Sequence, residues 1–261
     1  DTATTVANSK LALENSGEIN INTKESVGMM VTNNSATIAK DKVTATNKNG
    51  GIIKLESTTA TDNKNIGILA NEKATGINEG TIQVKTLESV GMLGQAASEV
   101  INRNTINLIA EKGIGMLAEG KNSNNEVSTA TNNAKIAITS TAKKSIGMLA
   151  QNEGDVKNKK EIEISAEEGV GIFVSDTGKG ENTAPNGKIL LNNKETVGIF
   201  AQNNGAGYTA QNAGKIILGK EDGTSANESL IGMFAQSKAG NTSSVKNTGT
   251  IDINTKKSVG M

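Results

Sequence analysis

A three-residue signature, Val/Ile-Gly-Met/Ile, recurs nine times along the chain, with its glycine at Gly28, Gly67, Gly91, Gly115, Gly147, Gly171, Gly198, Gly232 and Gly260. Successive glycines are 39, 24, 24, 32, 24, 27, 34 and 28 residues apart. The shortest spacing recurs three times, so it is the length of the unit, and the larger values contain insertions. Repetition at such a period confines a chain to architectures in which each unit buries its apolar face against its neighbours.

Ahead of each triplet stands Gly-x-Ile-x-Ile/Leu/Val, with apolar pairs running from Ile19/Ile21 to Ile251/Ile253 and mostly polar residues between them. This alternation predicts a strand with one face in and one face mostly out. Two residues before the glycine position of that element is an asparagine in eight of nine units: Asn15, Asn49, Asn78, Asn102, Asn132, Asn158, Asn212 and Asn247, with Pro185 as the exception. A weaker apolar stretch precedes it, as at Val100, Val156 and Val245. Each unit therefore reads as three short strands.

The expected fold is all-β: a right-handed parallel β-helix, or β-solenoid, of about nine coils of three short strands, with residues 1–261 forming one β-helical segment. Identical residues at identical places are what stacked coils require, because each side chain sits about 4.8 Å above its counterpart. Isoleucine then stacks on isoleucine inside, and asparagine on asparagine at a corner where amides bond along the stack. Nine coils make a rod on the order of 40 Å long, and right-handed winding follows from the rule for parallel crossovers. Leucine-rich repeats and trimeric coiled coils are the rivals. The chain carries neither the Leu-x-x-Leu-x-Leu signature of the first nor a sustained heptad.

The third strand leaves one question open, since the residue two after each glycine is also apolar: Met30, Leu69, Leu93, Leu117, Leu149, Phe173, Phe200 and Phe234. The favoured expectation is that the glycine, free to adopt positive φ, bends the strand and turns this row inward. The alternative is an exposed apolar ladder that serves as an interaction surface. Insertions are expected at two corners only. The longer ones follow the Gly-Met strand, at 32–47, 119–131, 175–184, 202–211 and 236–244; others follow the Ile-x-Ile strand, at 56–65 and 219–229. Such loops share one edge of a solenoid and commonly carry binding.

Composition narrows function more than it defines it. Aromatics are 2% of the chain and Trp is absent, so a thin aliphatic interior is implied. The 27 basic and 27 acidic residues cancel, and Arg103 is the only arginine, which argues against nucleic acid or anionic membrane as a partner. No apolar run approaches the roughly 20 residues that span a bilayer. Without Cys or His, disulfide frameworks and thiolate or imidazole metal sites are excluded. A chain that starts at Asp1 without signal-peptide features, and stops at Met261 inside the ninth triplet, reads as a piece excised from a processed protein.

Catalysis by a β-helix needs grouped carboxylates or a neighbouring base. Asp41, Asp62, Asp155, Asp176 and Asp222 occupy no equivalent positions in adjacent coils, and Lys-Glu pairs such as Lys24-Glu25 and Lys194-Glu195 read as solvated corners. No enzyme, cofactor or metal site is expected. Glu221-Asp222-Gly223 could hold Ca²⁺ only weakly. Tyr208, beside Asn203 and Asn204, is the one aromatic placed in an expected loop and is the candidate glycan contact. The asparagine column is expected to be structural, and the methionines to fill the core.

The run Asn-x-Gly-x-Ile-x-Ile followed by Ser-Val-Gly-Met-x-Ala, with good copies starting at Asn15, Asn78, Asn158 and Asn247, resembles the passenger repeats of the large fusobacterial autotransporter adhesins of the RadD-like family. The resemblance extends over essentially the whole chain. It implies a right-handed β-helical passenger displayed at the cell surface by type V secretion and anchored in the outer membrane by a C-terminal β-barrel. Attachment to a host-cell or bacterial surface protein or glycan is implied with it, in a role as loop-bearing adhesin or as stalk. No binding residue carries over. The alternative is a polysaccharide-binding or polysaccharide-cleaving β-helix of tailspike or lyase type.

Overall fold

The computed structural model describes residues 10–35, 37–56, 64–203, 209–220, 222, 228–237 and 242–261. The described residues form strands and corners with one short 3₁₀ turn at Lys40–Lys42 and no α-helix. Each strand pairs with the strand three places later in the chain, always in parallel, so three consecutive strands complete one coil. Three sheets result. The Asn sheet holds nine strands from Leu11–Asn15 to Val245–Asn247, and the Ile sheet nine from Glu18–Ile21 to Thr250–Ile253. The Gly sheet holds eight, from Val27–Thr32 to Ile231–Ser237. This is the expected parallel β-helix, and its topology is consistent with right-handed winding.

Register follows the repeat. Ile106 lies between Ile82 and Ile136, and Leu108 between Val84 and Ile138; in the Gly sheet Met116 lies between Met92 and Met148. These side chains are fully buried in one continuous core. The Asn sheet supplies mainly small residues to it, such as Ala45, Val100, Ala130, Val156 and Ala210. A Cβ added at inward-facing Gly180 would come within 2.6 Å of Val174 Cγ2, so the interior is narrow on that side.

The glycine column answers to close approach. At the seven glycines from Gly28 to Gly198, an added Cβ would meet the carbonyl oxygen of the next coil's glycine at 2.5–2.8 Å. None of these glycines has positive φ. The expected use of glycine's conformational freedom therefore gives way to a steric cause: coils approach so closely here that no side chain fits.

The asparagine column is unbroken, with two changes of membership. Asn47 takes the place expected for Asn49, and Asn182 fills the gap expected at Pro185. Nine amides join head to tail through Asn15, Asn47, Asn78, Asn102, Asn132, Asn158, Asn182, Asn212 and Asn247, each Nδ2 donating to the next Oδ1 at 2.7–2.8 Å. The seven from Asn47 to Asn212 are fully buried. In most coils the corner glycine position lies two residues beyond the amide, but Gly51 lies four beyond Asn47 and Gly187 five beyond Asn182. Insertions thus also enter at this third corner, where Gly50 (φ +85°) relaxes the first of them.

The corner before each triplet carries a feature of its own. The residue three before every repeat glycine has φ between 44° and 62°: Glu25, Lys64, Glu88, Lys112, Lys144, Glu168, Glu195, Ser229 and Lys257. Nine non-glycine residues in the left-handed region make this corner a fixed part of the coil.

Candidate functional site

Two outer features could meet a partner: a groove between insertions, and the outer face of the Gly sheet. The groove begins with corner lengths. After Gly67 and Gly91 the chain turns at once, through paired left-handed residues Glu72-Lys73 and Ala96-Ala97. The coils on either side carry long insertions, one at 33–42 and one at 120–128. Two low corners between two raised loops leave a cavity of about 540 Å³ lined by Thr37, Ile38, Ala39, Lys40, Lys73, Ala97, Glu126, Val127 and Thr129.

Both walls are held by their own hydrogen bonds. In the first loop Asn33 Nδ2 donates to the carbonyls of Ile38 (2.9 Å) and Lys73 (3.2 Å), and Thr75 Oγ1 donates to the carbonyl of Lys40 at 3.1 Å. In the second, Gly120 and Asn125 take positive φ, Lys121 and Val127 form an antiparallel bridge, and Asn122 Oδ1 accepts from the amides of Asn124 and Glu126 at 3.0 Å each.

Glu126 is the polar centre of the groove. Its carboxylate accepts from Asn122 Nδ2 at 2.6 Å and pairs with Lys73 Nζ at 3.1 Å across the groove floor. The Asn122 hydrogen bond, then Lys73, holds its pKa below the ordinary carboxylate value. An ionised carboxylate beside lysine, with Ile38, Ala97 and Val127 nearby, suits an amphipathic ligand with hydrogen-bonding groups. Among the described residues no cluster of three His, Cys, Asp or Glu could hold a metal ion.

The outer face of the Gly sheet overturns the expectation for the third strand. The residues one and three after each glycine, such as Met116 and Ala118, enter the core. The residue two after it points outward, so Met30, Leu69, Leu93, Leu117, Leu149, Phe173, Phe200 and Phe234 form an external ladder. Leu93, Leu117 and Leu149 pack with Ile66, Val90, Ile114 and Ile146, the residues before the glycines, in a cluster separate from the core. The glycine breaks the strict alternation, which is why the residue before it and the residue two after it share one face.

Relief along this face is uneven. Leu93, Leu117 and Leu149 are recessed at 6–7% exposure, whereas Phe234 is 42% exposed at one end and Met30 55% at the other. Phe173, Phe200 and Phe234 stack with ring centroids 4.9 and 5.3 Å apart. Beside the ladder, four residues after each glycine, runs a polar row: Thr32, Asn71, Gln95, Glu119, Gln151, Ser175, Gln202 and Gln236. Its members bond along the axis, Gln95 to Glu119 at 3.2 Å and Gln202 to Gln236 at 3.1 Å.

Of the glycan candidates, Tyr208 and Asn204 lie outside the described residues, and Asn203 is described only as backbone, at the end of the strand Val197–Asn203. The structure therefore brings none of them to a site. The Lys-Glu corners are ion pairs between coils, among them Lys112–Glu88 and Lys143–Glu167 at 3.0 Å and Lys194–Glu167 at 3.2 Å. Sequence reasoning flagged both loops of the groove. It could not flag Lys73, whose corner is of minimal length.

Residues 2–123 match one family model. It is described as the BigA third pectate lyase-like domain, and the match takes in the first wall and the floor of the groove but stops short of Glu126, Val127 and Thr129 on the second wall. The chain is thus similar to that family over its first half, and the description names a fold and not a reaction. No curated protein and no solved structure matches.

Proposed function

We propose that this chain is a β-helical segment of a large bacterial surface adhesin, and that the groove between loops 33–42 and 120–128 is its attachment site. The observation that carries the reading is the groove: two self-braced loops raised over two minimal corners, with Lys73 and Glu126 paired between them. Similarity to the BigA domain, which is of adhesin type, supports an extracellular setting. The repeat pattern supports the finer assignment to RadD-like autotransporter passengers, secreted by the type V route and anchored in the outer membrane. No helix among the described residues is long and apolar enough to cross a membrane, and in this reading a β-barrel elsewhere in the parent protein anchors it. The ligand is a host-cell or bacterial surface protein or glycan, and the remaining coils act as a stalk. We assign the segment no enzymatic role and no cofactor.

The test is attachment of the purified chain to bacterial and epithelial cells, with loop 121–127 replaced by two glycines in one variant and Lys73→Glu in another. Attachment should fall at least tenfold in both, with the β-sheet circular dichroism retained. Undiminished attachment overturns the groove as the site. Release of reducing ends from a bacterial polysaccharide, abolished by Glu126→Gln, would instead establish the lyase-type alternative, which the pectate lyase-like similarity brings into view.

A further inference from the structure

The three outward rows of the Gly sheet hold twenty-four residues, and Glu119 is the only charged one. The two outward rows of the Ile sheet hold eighteen, of which eight are charged. In a chain that is 21% charged, the depletion is confined to one face. Charges on exposed strands keep β-proteins from associating, and this face lacks them.

The relief of the face is complementary to itself. Three recessed leucines (Leu93, Leu117, Leu149) are followed along the axis by three stacked phenylalanines (Phe173, Phe200, Phe234). A twofold axis lying in the face, between Leu149 and Phe173, sets each phenylalanine of one copy over a leucine of the other. Phe200 then lies over Leu117. Because that axis runs along the strand direction, apolar rows meet apolar rows and the polar row meets itself. Glu119 faces the Gln202 amide of the second copy, which can donate to it. The opposite arrangement, with coils parallel, sets the polar row against the Val/Ile row and phenylalanine against phenylalanine.

We infer that this face is an antiparallel self-association surface, its occupant a second copy of this chain. In this register six coils overlap, and six coils at about 4.8 Å by five residues of strand give a patch of roughly 29 by 16 Å, about 460 Å² per copy and roughly 900 Å² in the pair. That area falls below the range of stable specific interfaces and within that of weak, transient ones, so the dimer is a weak one, formed at micromolar or higher concentration. A glycan or lipid surface has no reason to match six consecutive coils of leucine then phenylalanine, whereas a second copy matches them by symmetry. The inference does not rest on the groove, which lies past the polar row, at the corner between the Gly and Asn sheets.

Sedimentation of the wild-type chain across a concentration range should show a monomer–dimer equilibrium. Phe200→Lys and Leu117→Glu should each weaken it about tenfold or more, while Asn107→Glu, on the outer face of the Ile sheet, leaves it unchanged. The chain lacks cysteine, so Leu117→Cys and Phe200→Cys prepared separately and mixed under oxidation report the orientation. The antiparallel pair predicts the mixed disulfide. Leu117→Cys linking only to itself, or a wild-type chain monomeric at every concentration, overturns the inference. Cell attachment lost in Phe200→Lys with monomeric wild type would likewise assign the face to a different occupant.

Discussion

Asn102 shows how a single side chain is fixed by stacking. It accepts from Asn78, donates to Asn132 and is sealed from water. Asn102→Asp keeps the shape and the acceptor but loses the donor, unless the new carboxyl stays protonated. Burial raises the pKa of such a group, so its destabilisation is small below the ordinary carboxylate range and grows as pH rises through the folded value. We expect a loss of about 1–3 kcal/mol or more at neutral pH, shrinking at acid pH, in urea melts at two pH values. Gly115 is constrained in another way: Gly115→Ala sets a methyl 2.6 Å from the Gly147 carbonyl and 3.0 Å from Ile136 Cγ2. Forcing the coils apart should cost about 1–3 kcal/mol, and an unchanged melting temperature would show that the stack gives way freely.

At the scale of strands and corners, much was legible in the order of residues. The Ile-x-Ile pairs and the Gly-Met triplets place two sheets in register, because a period-2 pattern repeated at fixed spacing leaves one way to stack. Asn47 and Asn182 escaped because the reading counted back from glycine, and residues inserted between amide and glycine break that count. The outward ladder was legible as one of two readings and not as the favoured one, because apolar residues flank each glycine on both faces and only the position of the kink separates them. The groove was half legible, since insertions lengthen a repeat visibly, whereas the floor at Lys73 leaves no mark on spacing. The left-handed corner was invisible, being filled by lysine, glutamate and serine instead of glycine. It can be relieved. Glu195, at φ 57°, forms part of this corner, and Glu195→Gly should raise stability by up to about 1 kcal/mol, net of the greater freedom glycine brings to the unfolded chain. A fall in melting temperature would show that its side chain contributes more than its backbone costs.

For the whole molecule, charge acts between coils and weakly. Glu167 is held below its ordinary value of 4.5 by hydrogen bonds from Lys143 and then Lys194, and Glu18 by Lys54 and Asn20. Depressed carboxylates stabilise above their unfolded pKa, and that contribution disappears as pH falls through the lower folded value. Lys54, Lys135 and Lys143 are raised, so their share is lost only as pH climbs through the lysine range. The chain should therefore hold a broad plateau of stability near neutrality and soften in acid. Glu167→Gln should narrow the gap between its melting temperatures at pH 7 and at low pH, each shift being small because these groups are exposed. An unaltered acid response would remove Glu167 from the account.

The nine stacked amides donate in a single sense along the axis, from the coil of Asn15 toward that of Asn247. The column is therefore a vector: a coil laid on it upside down would bring NH₂ against NH₂ or oxygen against oxygen. Each completed turn thus presents the next with an amide of one polarity, as a zipper accepts its slider from one end. For a repetitive chain whose coils look alike to the hydrophobic core, that polarity distinguishes head from tail.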